Sequence, residues 1–191
     1  VTAPTVEPLT IADAKTHLRF VETVEDALIV AQIRAARSEA ETYTARALLS
    51  QTWKASYDAF PSDAGPIVLP KPPLISVTSV QYVDLDGVAQ TWSSALYAVY
   101  QFATGHPHAQ AGYLAPIYGG SYPSTRVIPE AVRVTFVAGY GTRADQVPAA
   151  IAAAIKIRLS DLFGLDRETA SSEMKPWGPV ERLLWPFRVW E

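Results

Sequence analysis

Val132-Arg133-Val134-Thr135-Phe136-Val137-Ala138-Gly139-Tyr140-Gly141 is the stretch on which the fold turns. Successive side chains of an extended chain point to opposite faces. Val132, Val134, Phe136, Ala138 and Tyr140 therefore share one side and Arg133 and Thr135 the other, which predicts a strand over 132–140 that covers a core on one face. Downstream, Pro148 stands where a helix can begin, and residues 149–163 are dense in good helix formers before Gly164. Ile151, Ile155, Leu159 and Leu162 give this helix of about 148–163 its expected buried stripe.

Upstream, the chain between Gln51 and Gly141 is rich in β-branched and aromatic residues broken by proline and glycine, the texture of short strands joined by tight turns. Strands are expected at 52–57, 67–69, 76–83 and 96–100, besides 132–140, and a further short one near 112–116. Asp86-Gly87, between Tyr82-Val83 and Trp92, is a hairpin signal, since glycine accepts the positive φ of a tight turn. The remainder of 101–129 reads as a long loop.

Ahead of the β region, Thr10 with Asp13 three residues on marks a helix start, with Leu9 placed to pack back as a staple. It predicts a short helix to about Arg19. Thr23, with Glu25 and Asp26 in the first turn, opens a second helix of about 24–48. Ile29, Ile33, Ala36, Ala40, Tyr43 and Ala47 form its apolar stripe, with Arg34, Arg37 and Glu41 on another face. The fold class expected is α+β: helices near both ends packed together, an inserted antiparallel β module over about 51–141, and an extended C-terminal tail. One domain is expected over 1–165 and a tail over 166–191. In that tail Trp177, Leu183, Leu184, Trp185, Phe187, Val189 and Trp190 crowd around Pro176, Pro179 and Pro186. The prolines forbid a long helix, and so apolar a segment calls for a covering partner or groove.

Composition narrows the function. The 191 residues are 49% apolar, enough for one core and a small second subdomain. Sixteen Lys and Arg against 19 Asp and Glu leave a net charge of −3, the wrong sign for a dedicated nucleic-acid binder. The absence of cysteine removes disulfides, thiolate nucleophiles and cysteine zinc sites together. The sequence shows neither an apolar run of membrane-spanning length nor, over 1–8, the regions of a signal peptide, so a soluble cytoplasmic product is expected.

No constellation reads as an active site. Gly119-Gly120-Ser121-Tyr122-Pro123 is not a nucleophile elbow, and three histidines are the only conventional bases. His106 and His108 lack a third metal ligand nearby, and Asp84-x-Asp86-Gly87 lacks the later ligands of a calcium loop. Gly139-Tyr140-Gly141 is half of a dinucleotide fingerprint at best. Asp58, Asp63, Asp84 and Asp86 each fall in an expected turn, where aspartate bonds local backbone. No catalytic, cofactor or metal residue is assigned, and no enzyme activity is expected. Tyr113, Tyr118 and Tyr122 are candidates for a protein-binding surface, such as a contact with a neighbouring subunit, or for core packing. A sugar-binding module built on the same three tyrosines is a weaker rival.

The order of several segments resembles a known family. Pro8-Leu9-Thr10 with Ala12, Lys15 and Leu18 is followed by 25–29 and by the helix ending Tyr43-Thr44-Ala45-Arg46-Ala47-Leu48. Gln51-Thr52-Trp53, Leu69-Pro70-Lys71-Pro72-Pro73-Leu74, 76–80 and 134–141 come after. Over about residues 8–165 this is similar to the head-to-tail connector, or adaptor, proteins of long-tailed bacteriophages and gene-transfer agents. The resemblance implies a structural subunit of a ring, twelvefold, beneath the portal of a phage or phage-like particle. Its partners would be the portal ring, copies of itself and a neck stopper or tail protein, with genome DNA passing through the channel unbound and no membrane contact. Its place would be the particle neck, after assembly in the bacterial cytoplasm. Beside it stands a second reading, another neck ring such as a stopper or tail-completion protein. Portal docking is expected of Trp177, Leu183, Leu184, Trp185, Phe187 and Trp190, the alternative being that the segment folds back on its own subunit.

Overall fold

The computed structural model describes residues 2–63, 65–102, 107–167 and 178–190. The chain divides into two compact units, an antiparallel β unit of Val1–Ala3 with Ser50–Tyr140 and a helical unit of Pro4–Leu49 with Gly141–Glu191. The α+β class expected from the sequence is the class observed.

The helical unit begins with α1 (Ile11–Leu18), capped by Thr10, whose hydroxyl accepts the Asp13 amide at 3.1 Å and donates to the Asp13 carboxylate at 2.6 Å. That satisfies one of the orphan amides of a helix start. Arg19 in the left-handed region closes it, with the Phe20 amide bonded to the Lys15 carbonyl. The second helix, α2 (Asp26–Thr44), buries Ile29, Ile33, Ala36 and Ala40 as its spacing predicts. It ends four residues before the expected Leu48, at Ala45 with φ 56°. The end is set by tertiary bonds. Val189 donates its amide to the Thr44 carbonyl at 3.0 Å, and the Leu48 amide is taken by the Glu41 carboxylate at 3.0 Å.

Helix α3 (Ala149–Arg167) packs on α1 and α2 through Ile151, Ile155 and Leu159. It runs through Gly164 instead of stopping there. An interior helical glycine costs about 1 kcal/mol relative to alanine, and a Cβ at this position would meet nothing within 4 Å. Gly164→Ala is therefore expected to raise stability by up to about 1 kcal/mol, read as an upward shift in thermal midpoint. Between α2 and α3, Arg158 is buried and makes a two-pronged ion pair with Glu39, Nε to Oε2 at 2.5 Å and Nη2 to Oε1 at 3.1 Å. Removing one partner would leave an uncompensated charge in the packed interface.

Residues 178–190 correct the expectation of an extended tail. Gly178–Leu184 form α4, followed by one turn of 3₁₀ helix at Trp185–Phe187. Pro179 lies in the first helical turn, where a missing amide proton costs nothing, and Pro186 lies in the 3₁₀ turn, two residues beyond the end of α4. The prolines bound a helix of two turns, so no long helix forms here, as expected, but the segment is not extended. It packs on α3 and α2 by Val180 and Leu184, and Phe187 continues the same buried stripe.

In the β unit, a four-stranded antiparallel sheet has the order β1 (Gln51–Tyr57), β7 (Val132–Ala138), β3 (Leu74–Val83), β4 (Ala89–Trp92). β7 is central, and its Val132, Val134, Phe136 and Ala138 are buried as the alternation predicts. A second sheet has the order β2 (Ile67–Val68), β6 (Tyr113–Pro116), β5 (Tyr97–Tyr100). The Asp86-Gly87 signal is fulfilled by the β3–β4 hairpin, with Gly87 at φ 86°. Leu96 lies in a 3₁₀ turn ahead of β5 instead of starting that strand.

Candidate functional site

The strongest sequence candidate is the C-terminal segment, and the structure sorts its residues by burial. Leu184 is completely buried and Phe187 nearly so, both within their own helical unit. They are removed from any free docking surface. Trp177 lies outside the described residues. Leu183 is half-buried, whereas Trp185 is 51% and Trp190 62% exposed.

The segment is held by its backbone as well as its core side chains. Arg46, itself buried, donates Nε–H to the Phe187 carbonyl at 2.5 Å, and the Val189 amide is bonded to the end of α2. From that mount the exposed side chains form one cluster. Trp185 and Trp190 meet edge to face with centroids 5.3 Å apart. The Arg188 guanidinium lies 4.2 Å from the Trp190 ring centroid and 5.5 Å from that of Tyr43. The Tyr43 hydroxyl donates to Glu181 at 3.1 Å. Desolvation, with Glu181 adding to it, pushes the Tyr43 phenol above its ordinary value, so it stays protonated at neutral pH. Sequence reasoning missed Arg188, Tyr43 and Arg46 because each acquires its role through a contact across the chain.

The three tyrosines have different surroundings. Tyr122 belongs to an aromatic cluster with Phe60, at 4.9 Å, and Trp92, at 5.4 Å. Its hydroxyl donates to the Gly65 carbonyl at 2.7 Å, and burial together with the Asp63 charge pushes its pKa up. Tyr113 stacks on Tyr100 at 4.7 Å beside Phe102. Tyr118 alone stands fully in solvent, next to the exposed Ile117.

The aspartates serve turns, as their positions suggest. Asp84 Oδ1 accepts the amides of Asp86 and Val88, and Oδ2 accepts from Gln90. The Gln90 bond, followed by the Val88 amide, holds the Asp84 carboxyl below its ordinary pKa. Asp58 accepts the Glu130 amide and Asp63 that of Gly65. His106 lies outside the described residues, and His108 is exposed. Among the described residues no three His, Asp or Glu side chains are grouped to hold a metal, and no helix is long and apolar enough to cross a membrane. Gly139 donates its amide to the Pro73 carbonyl in a turn, and the following helix starts only at Ala149.

The fold and surface define a class: an α+β chain whose exposed aromatic residues Trp185 and Trp190 are mounted on a fixed backbone. Residues 8–90 match the family described as phage gp6-like head-tail connector protein, the kind of protein that the segments of the sequence resemble. No curated protein is matched. Among solved structures, the fold is similar to a chain of the virion of a native gene transfer agent particle, with a TM-score of 0.78 at 24% identity, covering 100% of this chain and 94% of that one. A chain from the neck of an empty gene transfer agent particle computed with C6 symmetry gives 0.76 at 23%, covering 100% and 94%. One from the neck of a native particle computed with C12 symmetry gives 0.72 at 22%, covering 100% and 96%. At these identities the likeness is one of fold.

Proposed function

We propose that this chain is a head-to-tail connector, or adaptor, subunit: one copy in a ring beneath the portal of a phage or phage-like particle, joining the DNA-filled head to the neck and tail. The observation that carries the reading is the family match over residues 8–90. The whole-length likeness of fold to chains of gene transfer agent particles supports it, and the neck with C12 symmetry supports a ring of twelve. The role is structural and needs no catalytic group. A chain of net charge −3 does not hold a passing polyanion, which suits a subunit that surrounds a DNA channel. The ring belongs to the particle neck, is assembled in the bacterial cytoplasm, and meets a stopper or tail protein on its far side.

Among the described residues of the expected set, docking on the portal falls to Leu183, Trp185 and Trp190, which are not withdrawn into the helical unit. Exposed tryptophans commonly carry the energy of such contacts. The paired substitution Trp185→Ala with Trp190→Ala is expected to weaken binding to the cognate portal ring at least roughly tenfold in sedimentation, with an unchanged thermal midpoint. Wild-type binding by the paired variant would remove the tail from the portal contact.

A further inference from the structure

We propose that Trp185, Arg188 and Trp190 form a recognition site for an apolar peptide segment that carries a carboxylate, presented by the portal ring. The inference rests on the connector reading and adds the chemistry of the partner.

Three observations carry it. First, Arg188 holds no ion pair with any described residue, although it is exposed and stands in a cluster of rings. The Tyr43 hydroxyl engages part of its guanidinium, and the donors that remain belong to a planar fork, the geometry that takes a carboxylate by two parallel hydrogen bonds. Second, the local charge is positive. Arg182 and Arg188 are exposed on the segment against one described carboxylate, Glu181, which keeps its charge while accepting from Tyr43. Third, the tryptophans on either side of Arg188 offer apolar area at little cost in side-chain entropy, because Phe187, Leu184 and the Val189–Thr44 bond fix the backbone beneath them. Aromatic rings around one arginine, on a rigid mount, are the composition of an interface hot spot.

A nucleic-acid phosphate is the poorer occupant. The whole chain is acidic, and two exposed cations do not offset its repulsion of a polyanion. The apolar area of two tryptophans would also go uncovered on a phosphate backbone. A peptide that pairs leucine-like side chains with a glutamate or aspartate uses both halves of the site.

The test measures the binding of purified full-length chain to its cognate portal ring across a sodium chloride series, for wild type, Arg188→Glu and Arg188→Lys. Thermal unfolding of each variant checks folding. Arg188→Glu is expected to weaken binding at least roughly tenfold at low salt and to flatten the salt dependence. Arg188→Lys, which keeps the charge and loses the fork, should fall between the two. Wild-type affinity in Arg188→Glu, or tighter binding, overturns the proposal. So does a result in which Trp190→Ala changes self-association in sedimentation without changing portal binding, since the occupant would then be a second copy. Absence of any wild-type binding to the portal would instead strike the connector reading itself.

Discussion

Deleting residues 178–190 is expected to unfold the helical unit, not merely to remove a docking tail. Val180, Leu184 and Phe187 are buried in that unit, and Leu184 shares the wall formed by Ala36, Ala40, Ala154, Ile155 and Arg158. Leu184→Ala alone is expected to cost about 2–5 kcal/mol, the range for a fully buried leucine whose surroundings relax only in part. The deletion removes three such side chains and also strips Arg46 of its carbonyl acceptor and Thr44 of its amide donor. Each of these lost hydrogen bonds in a buried setting adds its own penalty. Against a total stability of roughly 5–15 kcal/mol, this is enough to abolish a cooperative helical transition. Circular dichroism of the truncated chain should show lost helix and a thermal midpoint many degrees lower. A truncated chain that melts like the full one would show that the segment is an appendage.

A comparable loss is expected from Phe136→Ala in the β unit. Phe136 is fully buried on the central strand β7, flanked in register by Trp53 on β1 and Val77 on β3. Its removal opens a cavity that strands fixed on both sides by hydrogen bonds cannot collapse to fill. The expected cost is about 3–5 kcal/mol, checked by chemical denaturation. A change under roughly 1 kcal/mol would mean that the ring is not the centre of that core.

These two sites differ in how far they could be read from sequence. Phe136 was legible because a strand buried on one face writes its period into five consecutive odd or even positions. The hairpin at Asp86-Gly87 was legible for a local reason too, since Asp84 and Gly87 satisfy the turn by themselves. The end of α2 was not. It is fixed by Val189, far along the chain, and nothing between Thr44 and Leu48 breaks a helix on propensity alone. The pairing of Arg158 with Glu39 joins residues 119 positions apart, with the same consequence.

The C-terminal segment lies between these cases. Its prolines pointed to extended chain, yet Val180, Leu184 and Phe187 recur at steps of four and three, the spacing of a helical stripe. That spacing separates the side chains that hold the segment down from Trp185, Arg188 and Trp190, which point away. The candidate docking site was thus half visible: the aromatic content was in the sequence, but the division into mount and contact came from packing. Tyr113, Tyr118 and Tyr122 show the reverse, neighbours in sequence with three different environments, set by stacking on Tyr100, by open solvent and by the rings of Phe60 and Trp92.

The connector reading is tested most directly by mixing the purified chain with its cognate portal ring and imaging the product by electron cryo-microscopy. The account predicts a second, coaxial ring of twelve copies against one face of the portal. A portal that stays bare, while the chain adds instead to an already formed neck ring, would contradict it and make the protein a stopper or tail-completion subunit.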